Sequence, residues 1–371
     1  MTLIIYASAG HGHKSAALSI EEEIRLRPEL GEAEALDSLT ITTPLFAKLY
    51  PGTYWYMVHY LPQIWRFFYW LFNLKIIHNL DQFLKNFTSR PLKNFTDVIR
   101  IKRPDTIIFT HFLGIHNAVQ LRKTRQIFCK IHVVVTDFFT HALWINKDVD
   151  MYYVMAEETK QDIVKKWGIS PEKIKVTGIP ISRKFSDSGI KKDRTVLESL
   201  GLKKDRLTIL FSSGSFGIGP TEKFLNALAP LAQKVQAVIV CGHNVRMKEF
   251  LDKEKFAFPV TVLGFVTNME ELMGASDLIV AKPGGVTTCE SIIKDLPMVV
   301  SSYIPGQEAG NLKLLEIHKA CWHLSNNTKQ FYETIKSILD NPSVLENKKI
   351  NLLKLRRPNA TKEIVESILK S

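Results

Sequence analysis

Residues 278–291 read LIVAKPGGVTTCES. The apolar run Leu278–Ala281 predicts a strand, Pro-Gly-Gly breaks it, and a helix is predicted from about Thr287 with Glu290 in its first turn. A strand entering a helix through a glycine loop is the unit from which parallel α/β sheets are built. The chain repeats this unit. In its first half strands are predicted at Leu3–Tyr6, Thr106–Thr110, Ile131–Thr136 and Tyr152–Met155. After a polar, charged stretch from 185 to 207 they resume at Thr208–Ser212, Ala237–Cys241, Val260–Leu263 and Met298–Ser301, with Leu278–Ala281 among them. The fold class is therefore α/β, with two doubly wound domains divided at about residue 183. Ligands of such sheets gather at the carboxyl ends of the strands, so the loops that follow them are the places to search.

Composition narrows the partners. The 371 residues are 45% hydrophobic and 23% charged, with a formal charge of +12, which favours a nucleic acid, an acidic membrane or a phosphorylated substrate. Cys129, Cys241, Cys289 and Cys321 have no metal-ligand spacing, and the N-terminus does not resemble a secretory leader; a reducing cytoplasm is expected. The best candidate for a membrane span, 61–77, is interrupted by Arg66, Asn73 and Lys75. Between Asp37 and Asp81 there is no acid, and ten of the nineteen residues from Tyr54 to Phe72 are aromatic. A buried helical hairpin is one reading. Trp55, Trp65, Phe68 and Trp70 interleaved with Lys48, Arg66 and Lys75 fit a membrane interface better. That contrast favours an anionic membrane surface over nucleic acid.

The loops carry the chemistry. In ASAGHGHKSAA, 7–17, a strand ends and a helix is predicted from about Lys14. A dinucleotide fingerprint would need a third glycine where Ser15 stands, which argues against a dehydrogenase. His13 at a strand end suits a general base, although His11 or His13 as a helix cap is equally compatible. SSGSFGIGP, 212–220, suits a diphosphate. Glu290 can accept paired ribose hydroxyls or simply complement a helix dipole. PGQEAGN, 305–311, offers Gln307, Glu308 and Asn311 to a polyhydroxylated ligand. Asp137, His141 and Trp144 follow another strand, as either core or site residues. Asp148-Val149-Asp150 resembles a manganese-binding Asp-x-Asp but precedes a strand, so no metal and no cofactor is expected.

SAGHGHKSAA, VTDFFTHALWINKDVDMYYV, VTGIPI, KPGGVTTCES and PGQEAGN resemble, in order and over nearly the whole chain, the monogalactosyldiacylglycerol synthases and processive diacylglycerol glucosyltransferases of glycosyltransferase family 28. The resemblance implies a GT-B fold, two Rossmann-like domains facing a cleft. An acceptor domain would span 1–183, a nucleotide-sugar domain 184–358, and a last helix, 359–370, would return to the first. It implies an inverting transfer of hexose from UDP-glucose or UDP-galactose to diacylglycerol by an enzyme peripheral at the inner face of the membrane. His13 falls on the family's base, with Gly12 letting the donor approach and Asp137 in the catalytic group. Gly214, Ser215 and Gly217 fall on the diphosphate loop, and Phe265 and Val266 where uracil is held. Gly284, Gly285 and Thr287 lie at a phosphate-facing helix start. Glu290 falls on the ribose acid, and Gln307, Glu308 and Asn311 on the sugar contacts. His141 and Trp144 are implied to meet the acceptor. Arg183 follows Ser182 where the family often has arginine directly after Gly-x-Pro-Ile, and Phe216 occupies a position that is commonly small. A nucleotide-sugar 2-epimerase shares the fold, and another lipid-linked acceptor is compatible; neither the choice of hexose nor the oligomeric state is readable.

Overall fold

The structure, a computed structural model, describes residues 1–8, 10–75, 92, 94–187, 193–212 and 221–369. It divides into two units. Met1–Arg183, Ile304–Gly310 and Arg357–Ser371 form the first, and Lys184–Tyr303 with Asn311–Arg356 form the second.

The first unit holds a six-stranded parallel sheet of β1 (Thr2–Tyr6), β2 (Ala33–Asp37), β3 (Thr106–Phe109), β4 (Lys130–Val134), β5 (Met151–Val154) and β6 (Ile174–Val176), ordered β2-β1-β3-β4-β5-β6. Alternate residues feed opposite layers. Leu3, Ile5, Phe109, Ile131 and Tyr152 pack on one face. Ile4, Ile108, Val134 and Tyr153 pack on the other, against Ala17, Ile20 and Ile24 of α1 (His11–Arg25) and Ile364 and Val365 of the helix Ala360–Leu369. Burial on both faces is why these strands read as unbroken apolar runs. Gly178, at φ +91°, lies so close to Arg357 that an added Cβ would stand 2.6 Å from the arginine Cβ, which explains a glycine where the C-terminal segment crosses.

The second unit has its own parallel sheet, β7 (Leu207–Ser212), β8 (Val235–Val240), β9 (Val260–Leu263), β10 (Leu278–Ala281), β11 (Met298–Val300) and β12 (Cys321–His323), ordered β12-β11-β10-β7-β8-β9. In both sheets the chain reverses its direction of travel once, between β1 and β3 and between β7 and β10. Such a reversal opens a crevice at the carboxyl ends of the two strands. β2, β6 and β12 were not predicted. β2 is half-buried and carries Glu34 and Asp37, while β6 and β12 have only three residues each, so none forms an apolar run.

Residues 38–75 are inserted after β2 and hold α2 (Pro44–Tyr60) and α3 (Pro62–Phe72), joined through Leu61. The hairpin is present, yet neither helix contains a fully buried residue. Leu45, Trp55, Tyr56, Tyr60, Phe67 and Trp70 are exposed, Trp70 by 57%. So many exposed aromatics on one hairpin are uncommon on a protein that meets only water.

Candidate functional site

The reversal between β1 and β3 places α1 and the end of β3 side by side. The helix begins at His11, three residues before the expected Lys14, so Gly12 and His13 belong to its first turn. His13 Nδ1 lies 2.9 Å from the Thr110 carbonyl and 2.7 Å from Thr136 Oγ1. A carbonyl only accepts, so Nδ1 carries the proton and Nε2 holds the lone pair. Burial lowers the His13 pKa to about 4, partly offset by the Thr110 carbonyl. The imidazole is neutral at pH 7 and able to take a proton.

His13 lines a cavity of about 360 Å³ with Gly10, Tyr54, Trp65, Phe68, Asp137, Trp144 and Gln307. Its walls are mostly aromatic, with few polar groups, as small-molecule sites are. Asp137 is buried in the wall; burial, with Glu308 and then Asp137 adding, pushes the Tyr54 hydroxyl far above its usual range. Trp144 is buried, its ring 6.2 Å from His13.

The structure adds to two sequence expectations here. Trp65 and Phe68 were expected at a membrane; both line the cavity, Phe68 while remaining 39% exposed. Trp65 packs edge-on to Tyr54 at 5.3 Å, and its Nε1 is buried without an acceptor among the described residues. Trp55, Arg66 and Trp70 do stand exposed. His141, expected at the acceptor, lines the cavity and is also a clamp. Its Nδ1 accepts from Leu143 N–H at 3.2 Å, and Nε2–H donates to the Tyr69 carbonyl at 3.0 Å, tying α3 to the loop after β4.

PGQEAGN was expected in the second domain, but residues 304–310 pack with the first unit. Tyr54 donates to Gln307 Oε1 at 2.8 Å. Gly306 has φ +87°, and an added Cβ there would stand 2.7 Å from the Tyr69 ring, so this glycine meets both a backbone and a packing demand. Glu308 accepts from Ile304 N–H at 2.6 Å at the start of the helix Gln307–Ile317. Asn311, fully buried in the second unit, donates to the Pro283 carbonyl at 2.8 Å and so holds the Pro-Gly-Gly loop instead of facing outward.

That loop begins the helix Gly285–Ile293, with Gly284 as its N-cap, two residues before the expected Thr287. Glu290 consequently sits in the second turn, beyond the reach of the helix-dipole explanation. Glu290 is partly buried. Desolvation, with Glu270 adding, raises its pKa to about 8. Phe265 is 61% exposed after β9 beside Val266, and its ring stacks on His243 at 4.5 Å. Gly214, Ser215, Gly217 and Phe216 lie outside the described residues. Arg183 opens the helix Arg183–Asp187 and belongs to the first unit. Asp148 and Asp150 form ion pairs with Lys123, at 2.7 Å, and with Arg122. Among the described residues no group of three or more His, Cys, Asp or Glu is placed to hold a metal.

Residues 13–181 match the monogalactosyldiacylglycerol (MGDG) synthase family, and residues 208–364 match the glycosyltransferase family 28 C-terminal domain. The monogalactosyldiacylglycerol synthase of Spinacia oleracea is 30% identical over 383 residues, spanning 99% of this chain and 71% of its own. The chain belongs to this family of glycosyltransferases. A processive diacylglycerol beta-glucosyltransferase of Bacillus pumilus is 27% identical over 375 residues, covering 99% of this chain and 94% of its own. A solved UDP-GlcNAc 2-epimerase from Neisseria meningitidis, bound to UDP-GlcNAc, matches with a TM-score of 0.64 at 15% identity over 100% of both chains. At that identity the likeness is one of fold alone, the two-sheet GT-B architecture.

The family pattern did not point to Thr110, Thr136, His111, Tyr54 or His243. Thr110 and His111 were within reach, because they directly follow β3, the strand beside β1 at the reversal. For Glu290 the geometry makes a prediction. A carboxyl whose folded pKa lies above its unfolded one gives stability that is present at acid pH and lost as pH rises through about 8. Glu290→Gln should therefore unfold at higher urea than wild type at pH 8.5 and lose that advantage near pH 4.5. An advantage of the same size at both pH values would show that the carboxyl is not desolvated.

Proposed function

We propose that this glycosyltransferase moves glucose or galactose from its UDP-sugar to the hydroxyl of diacylglycerol at an anionic membrane surface, inverting the anomeric carbon. The observation that carries this reading is that His13, the available base, and Gln307, from the sugar-recognising motif, line one aromatic cavity beneath an exposed aromatic hairpin. The names of the relatives supply diacylglycerol and the two hexoses as the substrate classes.

In this mechanism the acceptor oxygen bonds to the anomeric carbon as the bond from that carbon to the diphosphate breaks, and UDP departs with the electron pair. The acceptor proton passes to His13 Nε2. A base with a pKa of about 4 takes little from a free alcohol but takes the proton readily once the oxygen has begun to bond to carbon. The Thr110 carbonyl, accepting from Nδ1–H, then stabilises the imidazolium. In the second unit, the N–H groups at the start of Gly285–Ile293, from Gly285 to Thr287, suit the leaving diphosphate, while the Gly284 N–H donates to the Lys282 carbonyl at 2.9 Å. Glu290 suits the ribose hydroxyls, which would donate to the oxygens of its poorly solvated carboxyl. Phe265 and Val266 suit the uracil. Arg183 is proposed as a further phosphate contact. The reaction as written places no step on a metal or a cofactor. No described helix is long and apolar enough to cross a membrane. The hairpin would instead lie in the interface, with Trp55, Tyr60, Phe67 and Trp70 at headgroup depth and Lys48, Arg66 and Lys75 meeting anionic lipid.

His13→Ala should lower turnover by roughly two to four orders of magnitude, with UDP affinity by calorimetry little changed. Loss of UDP binding with turnover intact would make His13 a phosphate ligand. Trp55→Ser with Trp70→Ser removes two outward-facing rings and spares the cavity. The pair should release the protein from anionic vesicles in a co-sedimentation assay, as added salt should also do. Undiminished binding would assign these rings another partner.

A further inference from the structure

His111 has no role in the mechanism above, yet it is buried at the end of β3 and lines the same cavity as His13. The two imidazoles meet edge to face, with ring centroids 4.7 Å apart. Their hydrogen bonds fix opposite tautomers. His13 Nδ1 faces the Thr110 carbonyl, which can only accept, so its Nε2 is an acceptor. His111 Nδ1 lies 3.1 Å from Leu113 N–H, which can only donate, so Nδ1 holds the lone pair and the ring proton sits on Nε2. Nε2 of His111 has no hydrogen-bond partner among the described residues. Desolvation, with His13 adding, holds His111 well below the ordinary histidine range, so both rings stay neutral. Phe112 at 4.1 Å and Trp144 at 6.3 Å flank the His111 ring and fix its plane.

We propose that His111 is a second catalytic residue of this enzyme: its Nε2–H donates to the oxygen of the acceptor hydroxyl while that hydroxyl donates its proton to His13 Nε2. An alcohol offers one proton and two lone pairs. One donor and one acceptor from the protein settle the first lone pair and the proton, and leave the second lone pair to attack the anomeric carbon. The hydroxyl is then held as a near-attack conformer, and a single base would leave it free to rotate. The pairing also selects an acceptor class. A hydroxyl fills both positions, whereas an ammonium group has no lone pair for His111. No charge or atom is added to the reaction; the proton still ends on His13. The inference rests on the reading of His13 as the base for a lipid alcohol.

Two measurements test it separately. In protein labelled with nitrogen-15 at histidine, imidazole spectra at pH 7 should show His13 protonated at Nδ1 and His111 at Nε2. Addition of 1,2-dioctanoylglycerol should shift both Nε2 resonances. A His111 found as an imidazolium or protonated at Nδ1, or a pair that does not respond to dioctanoylglycerol, would overturn the proposal. In a glycolipid assay His111→Phe should lose up to about a hundredfold in turnover. Its UDP affinity should be unchanged, and His111→Gln, whose amide places a donor near Nε2, should recover most of the loss. Wild-type turnover in His111→Phe, or a loss in His111→Gln as great as in His111→Phe, would also overturn it. If wild type forms no glycolipid from either UDP-sugar while dioctanoylglycerol still shifts both resonances, the assigned reaction falls and the hydroxyl-binding pair stands.

Discussion

The hydrogen bond between His13 Nδ1 and the Thr110 carbonyl determines what the cavity of the first unit can do. It joins the first turn of α1 to the end of β3 across the point where the sheet reverses. It settles which nitrogen keeps a lone pair, and it does so in surroundings dry enough to hold the ring neutral at pH 7. Thr110 returns the contact by donating its hydroxyl to the His13 carbonyl at 2.9 Å. The histidine is thus fixed at both its backbone and its ring, as a group proposed to meet a reacting atom needs to be.

Around that fixed point the hairpin 44–72 has two kinds of face. Tyr54, Trp65 and Tyr69 turn towards the cavity or the loop 304–308, Trp55, Tyr60, Phe67 and Trp70 turn to the surface, and Phe68 meets both. Tyr54 bonds to Gln307, and Tyr69 packs over Gly306. The element proposed to touch lipid therefore also holds the loop whose motif is suited to the sugar. This gives a physical reason for aromatic side chains where leucine would serve an ordinary core: an aromatic ring can pack one face and present a polar edge or hydroxyl to the site.

Much of the fold was legible in the sequence because parallel strands buried on both faces appear as apolar runs, as at Ile107–Phe109 and Leu278–Ala281. Edge strands such as Ala33–Asp37 lack that signal. The first turns of both site helices were read as loop, since Gly12 and Gly285 have low helix propensity; at a helix start there is little propensity to lose. That error hid the position of Glu290 in its second turn. With ten aromatics in nineteen residues, the helical phase of the hairpin cannot be read, so Trp65 and Trp70 looked alike. Nor does any local pattern encode a bond between residues 253 positions apart, as between Tyr54 and Gln307. The motifs offered a candidate chemistry for the site; its packing partners had to come from three dimensions.

A single displacement assisted by a neutral His13 has one stereochemical outcome. Proton spectra of the glycolipid formed from UDP-glucose or UDP-galactose, whose sugars are α-linked, with diacylglycerol in vesicles would read it directly. A β-linked product, formed by wild type and nearly abolished in His13→Gln, is the result expected. An α-linked product, or a β-linked one formed as fast without the histidine, would contradict it.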